Sequence, residues 1–265
     1  LVPDSYFALI SEADDSARYL AGPATVGPWA TDLQHGGPPS ALAVAAAEAA
    51  VRKATGRDDL LALRLSADFV RAVPVAEIDL RSRIVRSARS AALAEVVIAA
   101  GGRDCLRVRV WFVRDSDTST IAMPLPEPVV VPNVPGGIDW DFGYGASLEW
   151  RFVRGRMGEP GAAAAWVRPR IPLLDGYDLS GLSRAALIAD SASGISAELD
   201  WAEWSFLNVD LDLHLARPLI GEWVLMDAVT QLGPHGSALA RSTLSDVRGE
   251  VGRGLQTLVL APRRQ

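Results

Sequence analysis

Ser183-Arg184-Ala185-Ala186-Leu187-Ile188-Ala189-Asp190 reads as an apolar helix, and it repeats an earlier one, Ser40 to Ala50, at a distance of about 143 residues. Each helix leads to an extended run that closes on a proline. The first is Leu63 to Pro74, ending Arg71-Ala72-Val73-Pro74; the second is Asn208 to Pro218, ending Leu215-Ala216-Arg217-Pro218. Near the end of each unit Cys105-Leu106-Arg107 stands against Gly254-Leu255-Gln256, the offset having grown through one longer turn. Superimposing the copies sets Ala47 against Asp190 and Arg64 against Asn208. Only the second copy gathers polar side chains suited to chemistry.

Outward from these helices the two halves read alike. After a helix candidate around Ser5 to Ser11, the run Trp29-Ala30-Thr31-Asp32-Leu33-Gln34-His35-Gly36-Gly37-Pro38-Pro39 supplies turn formers and two prolines suited to a first helical turn. The helix from Ser40 is apolar on nearly every side, which implies full burial. Leu63 to Phe69, Glu77 to Arg86, Ala91 to Ala100 and Cys105 to Arg114 then read as strands, alternation being clearest at Leu106, Val108, Val110 and Phe112. Turns at Gly101-Gly102 and near Ser87-Ala88 suggest antiparallel hairpins. The proline- and valine-rich segment 123–134 breaks both periodicities and divides an N-terminal lobe, 1–122, from a C-terminal lobe, 135–265. In the second lobe Trp150 to Val153 and Ala164 to Arg168 read as strands and Leu179 to Ser193 as the second central helix. Ser205 to Leu215, Glu222 to Thr230, Ser237 to Ser245 and Gly252 to Leu260 complete the set. The expectation is an α+β tandem pair, two long central helices each wrapped by a curved antiparallel sheet, with the sheets joined edge to edge so that each protects the other's strands.

Composition narrows the function. With 26 Lys+Arg against 32 Asp+Glu the formal charge is -6, which offers no basic field for nucleic acid. The single cysteine, Cys105, excludes an intramolecular disulfide and sits in an alternating apolar stretch, where a buried inert thiol is expected. Ala41 to Val51, the longest apolar helix candidate, is about half the length that spans a bilayer. The first residues carry neither a basic region nor an apolar signal core, so a cytoplasmic location is expected.

Gln34-His35-Gly36-Gly37-Pro38-Pro39-Ser40-Ala41-Leu42, Asn208-Val209-Asp210-Leu211-Asp212-Leu213-His214, Arg217-Pro218, Gly221-Glu222-Trp223 and the closing Gly252-Arg253-Gly254-Leu255-Gln256 resemble the acyl-CoA thioesterase II group of double hotdog proteins, in its TesB-like branch. The resemblance spans nearly the whole chain. It implies a tandem hotdog fold, an acyl-CoA substrate and no cofactor. It also implies a site in the second lobe made by an Asp on the central helix, a Thr-type hydroxyl near the start of the next strand and a Gln on the final strand. Those positions fall on Asp190, Asn208 and Gln256. The middle one departs from the family pattern: an asparagine amide can hold water but cannot serve as a hydroxyl nucleophile.

Thioester hydrolysis needs an oriented water, a proton acceptor, and donors where the carbonyl oxygen gains charge. Asp190 is the only carboxylate within Leu182 to Ala197, and burial among apolar residues would make it a useful base. Asn208 and Gln256, amides on otherwise apolar strands, would fix the water. Gly36 and Gly37, at a helix start, would present backbone N–H groups to the oxyanion, and glycine would let the thioester approach closely.

Blander readings stand beside these. A buried helical carboxylate is often held by neighbouring donors, a Gly-Gly before prolines is often only a turn, and His35 is more simply a local hydrogen-bonding group than a base. Asp210, Asp212 and His214 share a strand face, but alternate residues stand about 6.6 Å apart and a solvated face explains them, so no metal is assigned. Arg81, Arg83, Arg86 and Arg89 could meet coenzyme A phosphates or form a solvated face, and Trp201, Trp204 and Trp223 could line an acyl channel or pack in the core. A hydratase would pair a carboxylate with a histidine at a spacing that His35, His214 and His235 do not give. The remaining alternative is a lobe pair that binds acyl thioesters or a protein partner without turnover. A homodimer through outer sheet faces is the expected assembly.

Overall fold

The chain opens with two strands, Phe7–Glu12 (β1) and Ser16–Ala21 (β2), where the sequence suggested a helix around Ser5 to Ser11. Tertiary hydrogen bonds override the local pattern: the Tyr6 and Phe7 N–H groups donate to the carbonyls of Pro172 and Leu173, and β1 pairs antiparallel with β2. The structure, a computed structural model, describes residues 5–124, 129–133 and 140–263. Part of the segment 123–134 therefore lies outside the described residues.

The first central helix, Gly37–Thr55 (α1), starts a turn earlier than its apolar run because Pro38 and Pro39 fit positions with no N–H to satisfy. It ends where Gly56 takes a left-handed conformation, φ 63°, with Arg52 and Lys53 in the last turn beside the negative end of the dipole. Every residue from Gly37 to Ala45 is buried, and Leu42 is 1 % exposed. Truncating Leu42 to alanine would cost about 2–5 kcal/mol. Four strands follow: Leu60–Phe69 (β3), Glu77–Ser87 (β4), Ala91–Ala100 (β5) and Arg103–Arg114 (β6).

The second half holds a single helical turn, Gly143–Ala146 (α2), then Leu148–Arg154 (β7) and Ala163–Pro169 (β8). The second central helix is not one long element. It is Gly181–Ala189 (α3), a break at Asp190 and Ser191, and a last turn, Ala192–Ile195 (α4). Groups from elsewhere take the carbonyls that a continuous helix would use: the Tyr144 hydroxyl donates to Leu187 O and the Gln256 amide to Asp190 O. The remaining strands are Trp204–Asn208 (β9), Asp210–Leu215 (β10), Val224–Leu232 (β11), Ser237–Asp246 (β12) and Gly249–Pro262 (β13).

All strands join one antiparallel sheet in the order β1-β2-β4-β5-β6-β3-β10-β13-β12-β11-β8-β7, with β9 paired to the far end of β13. The halves meet where β3 pairs with β10, from Arg64 opposite His214 to Asp68 opposite Asp210. On either side of that seam the strand order repeats, as the sequence duplication suggested. The central helices pack against each other inside the sheet. A β-carbon at Gly37 would fall on the Leu187 carbonyl oxygen, and the Ser183 hydroxyl donates to Ala41 O at 3.0 Å. Ser205 to Leu215, read as one strand, is interrupted at Val209, whose carbonyl accepts from Phe69 N while its N–H donates to Thr257 O. That interruption turns Asn208 toward the end of α3.

Candidate active site

Asp190 closes α3 and is 4 % exposed. A buried carboxylate needs donors, and three elements distant in sequence supply them. Its Oδ1 accepts from Asn208 Nδ2 at 2.7 Å and from Gln256 Nε2 at 3.2 Å. Its Oδ2 lies 2.9 Å from His35 Nδ1. Gln256 faces inward on β13 between the buried Gly254 and Leu258; its Nε2 also donates to Asp190 O at 3.1 Å and its Oε1 accepts from Ser193 N at 3.4 Å. Asn208 gives its second amide hydrogen to Asp210 O at 3.3 Å, so its own Oδ1 is left as an acceptor.

His35 comes from the other lobe, held by its N–H on Thr25 O at 2.8 Å. Its Nδ1 is near two groups, Asp190 Oδ2 and the Gly37 N–H at 3.2 Å, and it serves one at a time. A proton on Nδ1 satisfies the carboxylate and leaves Nε2 an acceptor. The imidazole lies flat on the ring of Tyr144, 3.7 Å between centroids and 8° from parallel. The Tyr144 hydroxyl bridges Leu187 O and Ser191 Oγ, each at 2.7 Å, and burial holds the phenol well above its ordinary pKa, so it stays protonated.

These groups border a cavity of about 430 Å3 whose wall includes His35, Gly36, Asp190 and Asn208. Aromatic rings make up much of the remainder: Trp29 stacks on Trp201 at 5.1 Å and 16°, and Phe206 meets both edge-on. Such a lining suits an apolar group, with a few polar atoms at one place. Gly36 leaves no spare room. A β-carbon there would stand 2.6 Å from Phe69 Cζ and 2.8 Å from Asp190 Oδ2. Its N–H makes no hydrogen bond among the described residues.

Asp190, Asn208 and Gln256 are thus brought into one hydrogen-bonded group, and Gly36 stands in the cavity wall beside them. Gln256 lies behind Asp190 and Gly37 lies under the helix crossing; neither lines the cavity. Arg81 and Arg83 pair with Asp104 and Glu95 on the outer sheet face, and none of Arg81, Arg83, Arg86 and Arg89 borders the cavity. Of the three tryptophans singled out, Trp201 lines it; Trp204 does not, and Trp223 lies under the guanidinium groups of Arg151 and Arg168. Asp210 accepts from Thr257 and Asp212 pairs with Arg64.

His35, read as a hydrogen-bonding group rather than a base, stands in hydrogen-bonding contact with Asp190; Tyr144 is the member of the site that the sequence reading does not single out. A faint signal for Tyr144 exists in Gly143-Tyr144-Gly145. A β-carbon at Gly143 would meet the Pro23 carbonyl, and one at Gly145 would meet the Trp140 ring, so two glycines let this tyrosine sit deep.

Two family profiles match the chain: an acyl-CoA thioesterase N-terminal domain over residues 25–113 and an acyl-CoA thioesterase C-terminal domain over residues 125–260. No curated protein matches the sequence. Among solved structures, a candidate thioesterase from Novosphingobium aromaticivorans is 24% identical, with 95% of this chain and 97% of that one covered and a TM-score of 0.73. An acyl-CoA thioesterase II, TesB2, from Mycobacterium marinum is 15% identical over 96% and 95%, TM-score 0.71. A hot dog fold protein of unknown function from Alicyclobacillus acidocaldarius is 14% identical over 99% and 97%, TM-score 0.73. At these identities the likeness shows the hotdog fold.

Proposed function

The chain belongs to the acyl-CoA thioesterase family and is a thioester hydrolase, and on that premise we propose that it cleaves acyl-CoA with a water held at Asp190. The acyl group occupies the aromatic cavity with its carbonyl carbon beside Gly36. Water bound between Asn208 Oδ1 and Asp190 Oδ2 attacks that carbon as the carboxylate takes its proton. The carbonyl oxygen gains a negative charge, which the Gly36 N–H meets at the positive end of α1. The carbon–sulfur bond then breaks, the sulfur leaves with the electron pair and takes the proton that Asp190 accepted from water, and a free acid and coenzyme A are released with the carboxylate restored.

Gln256 does not touch the water in this scheme. It fixes Asp190 from behind, as His35 does from the side. The proton acceptor and the oxyanion donor are neighbours, because Asp190 Oδ2 stands 2.8 Å from where a β-carbon at position 36 would lie. The observation that carries the reading is the Asp190 carboxylate in the cavity wall with both oxygens held by donors from three separate segments. Free-thiol release from acyl-CoAs of increasing chain length tests it. Turnover of at least one of them is expected; a chain that binds them all and cleaves none would overturn it.

A further inference from the structure

Both lobes place an arginine two residues beyond the strand that forms the seam: Arg71 after β3 and Arg217 after β10. Each reaches back to the start of a hairpin's second strand, Arg71 to Asp104 O at 2.7 Å and Arg217 to Gly249 O at 3.0 Å. Their charges fare differently. Arg217 is held bidentate by the buried Asp246, at 2.6 and 2.8 Å, the last residue of β12. The corresponding strand β5 ends in Ala100, which offers no carboxylate. The Asp104 carboxylate is taken by Arg81 and Arg107, so Arg71 has no ion pair among the described residues.

Arg71 is exposed and also borders the cavity, and among the described residues it is the one lysine or arginine that does. An unneutralised guanidinium at the mouth of an aromatic cavity has spare donors in a fork suited to phosphate oxygens. We propose that Arg71 binds a phosphate of the coenzyme A moiety, so that the thioester enters acyl end first with its phosphates left at the mouth. This rests on the acyl-CoA thioesterase reading and adds an anchor that the arginines of β4 do not provide.

The test compares Arg71→Gln and Arg71→Lys with the parent enzyme on an acyl-CoA and on the same acyl group carried by phosphate-free pantetheine. Arg71→Gln is expected to raise KM for the CoA ester about 10-fold at unchanged kcat, to leave the pantetheine ester's KM as it was, and Arg71→Lys to recover most of the loss. An equal effect on both esters, or none, overturns the proposal, as does an effect seen only with ω-carboxylated acyl groups. Calorimetric titration with free coenzyme A reads the same contact without turnover. Affinity about 10-fold weaker in Arg71→Gln, in an enzyme that cleaves no thioester, would leave the anchor standing and remove the hydrolytic reading; equal affinities would remove the anchor.

Discussion

The imidazole of His35 reaches Asp190 across the boundary between the two lobes, Nδ1 standing 2.9 Å from Oδ2, so the carboxylate of one half is oriented by the other. Each half alone would leave the Asp190 carboxylate without this contact.

Replacing Asp190 by asparagine keeps the shape and removes the proton acceptor. We expect kcat for thiol release to fall by about 10^2–10^4-fold with the fold retained. His35→Gln, which loses an orienting contact, should cost about 10-fold. Wild-type turnover in Asp190→Asn would remove this residue as the base.

Tyr144 separates structural and catalytic support. Tyr144→Phe keeps the ring on His35 but leaves the Leu187 carbonyl and the Ser191 hydroxyl without their bridge, a loss of about 1–3 kcal/mol in denaturant unfolding with kcat near that of the parent. Tyr144→Leu removes the stacked ring and should lower kcat about 10-fold as well. A slow Tyr144→Phe enzyme would mean that the hydroxyl, rather than the ring, matters to turnover.

The two adjacent glycines should answer differently to alanine. At Gly37 the new carbon meets backbone, the Leu187 carbonyl, so the helices are forced apart at a cost of about 3 kcal/mol or more. At Gly36 it meets the movable Phe69 ring and the Asp190 carboxylate, so kcat should fall by more than stability does. Melting temperatures and thiol-release rates measured on both variants check the contrast.

Asp246 gives the fold an acid-sensitive clasp. Burial pushes its carboxyl up, but Arg217 and the N–H groups of Ile220 and Arg248 outweigh that and hold it below the usual carboxylate range. A depressed folded-state value means stability present above the unfolded value of 3.8 and lost as pH falls through the folded one. Asp246→Asn should therefore be less stable by about 3 kcal/mol at pH 7, with the gap to the parent narrowing below pH 4. Parallel unfolding curves across that range would contradict the assignment.

The strands were legible because one face of each is buried: Ala92, Ala94, Val96 and Ile98 point inward along β5, and the boundaries read from sequence match those observed. The β1 strand was not, since only Phe7 of its six residues is buried, so no alternating apolar face marks it even though it pairs with the neighbouring β2. The break at Asp190 was also hidden. It is made by Tyr144 and Gln256, side chains that no local pattern connects to α3. The same holds for the site: the polar residues of the second copy stood out against apolar neighbours, whereas His35 belongs to it through the helix crossing alone.

The pairing of β3 with β10 makes the two halves a single shell rather than jaws on a hinge. Admission of a guest then falls to small adjustments of lining rings such as Trp29 and Trp201, and the turnover rate should be nearly indifferent to solvent viscosity.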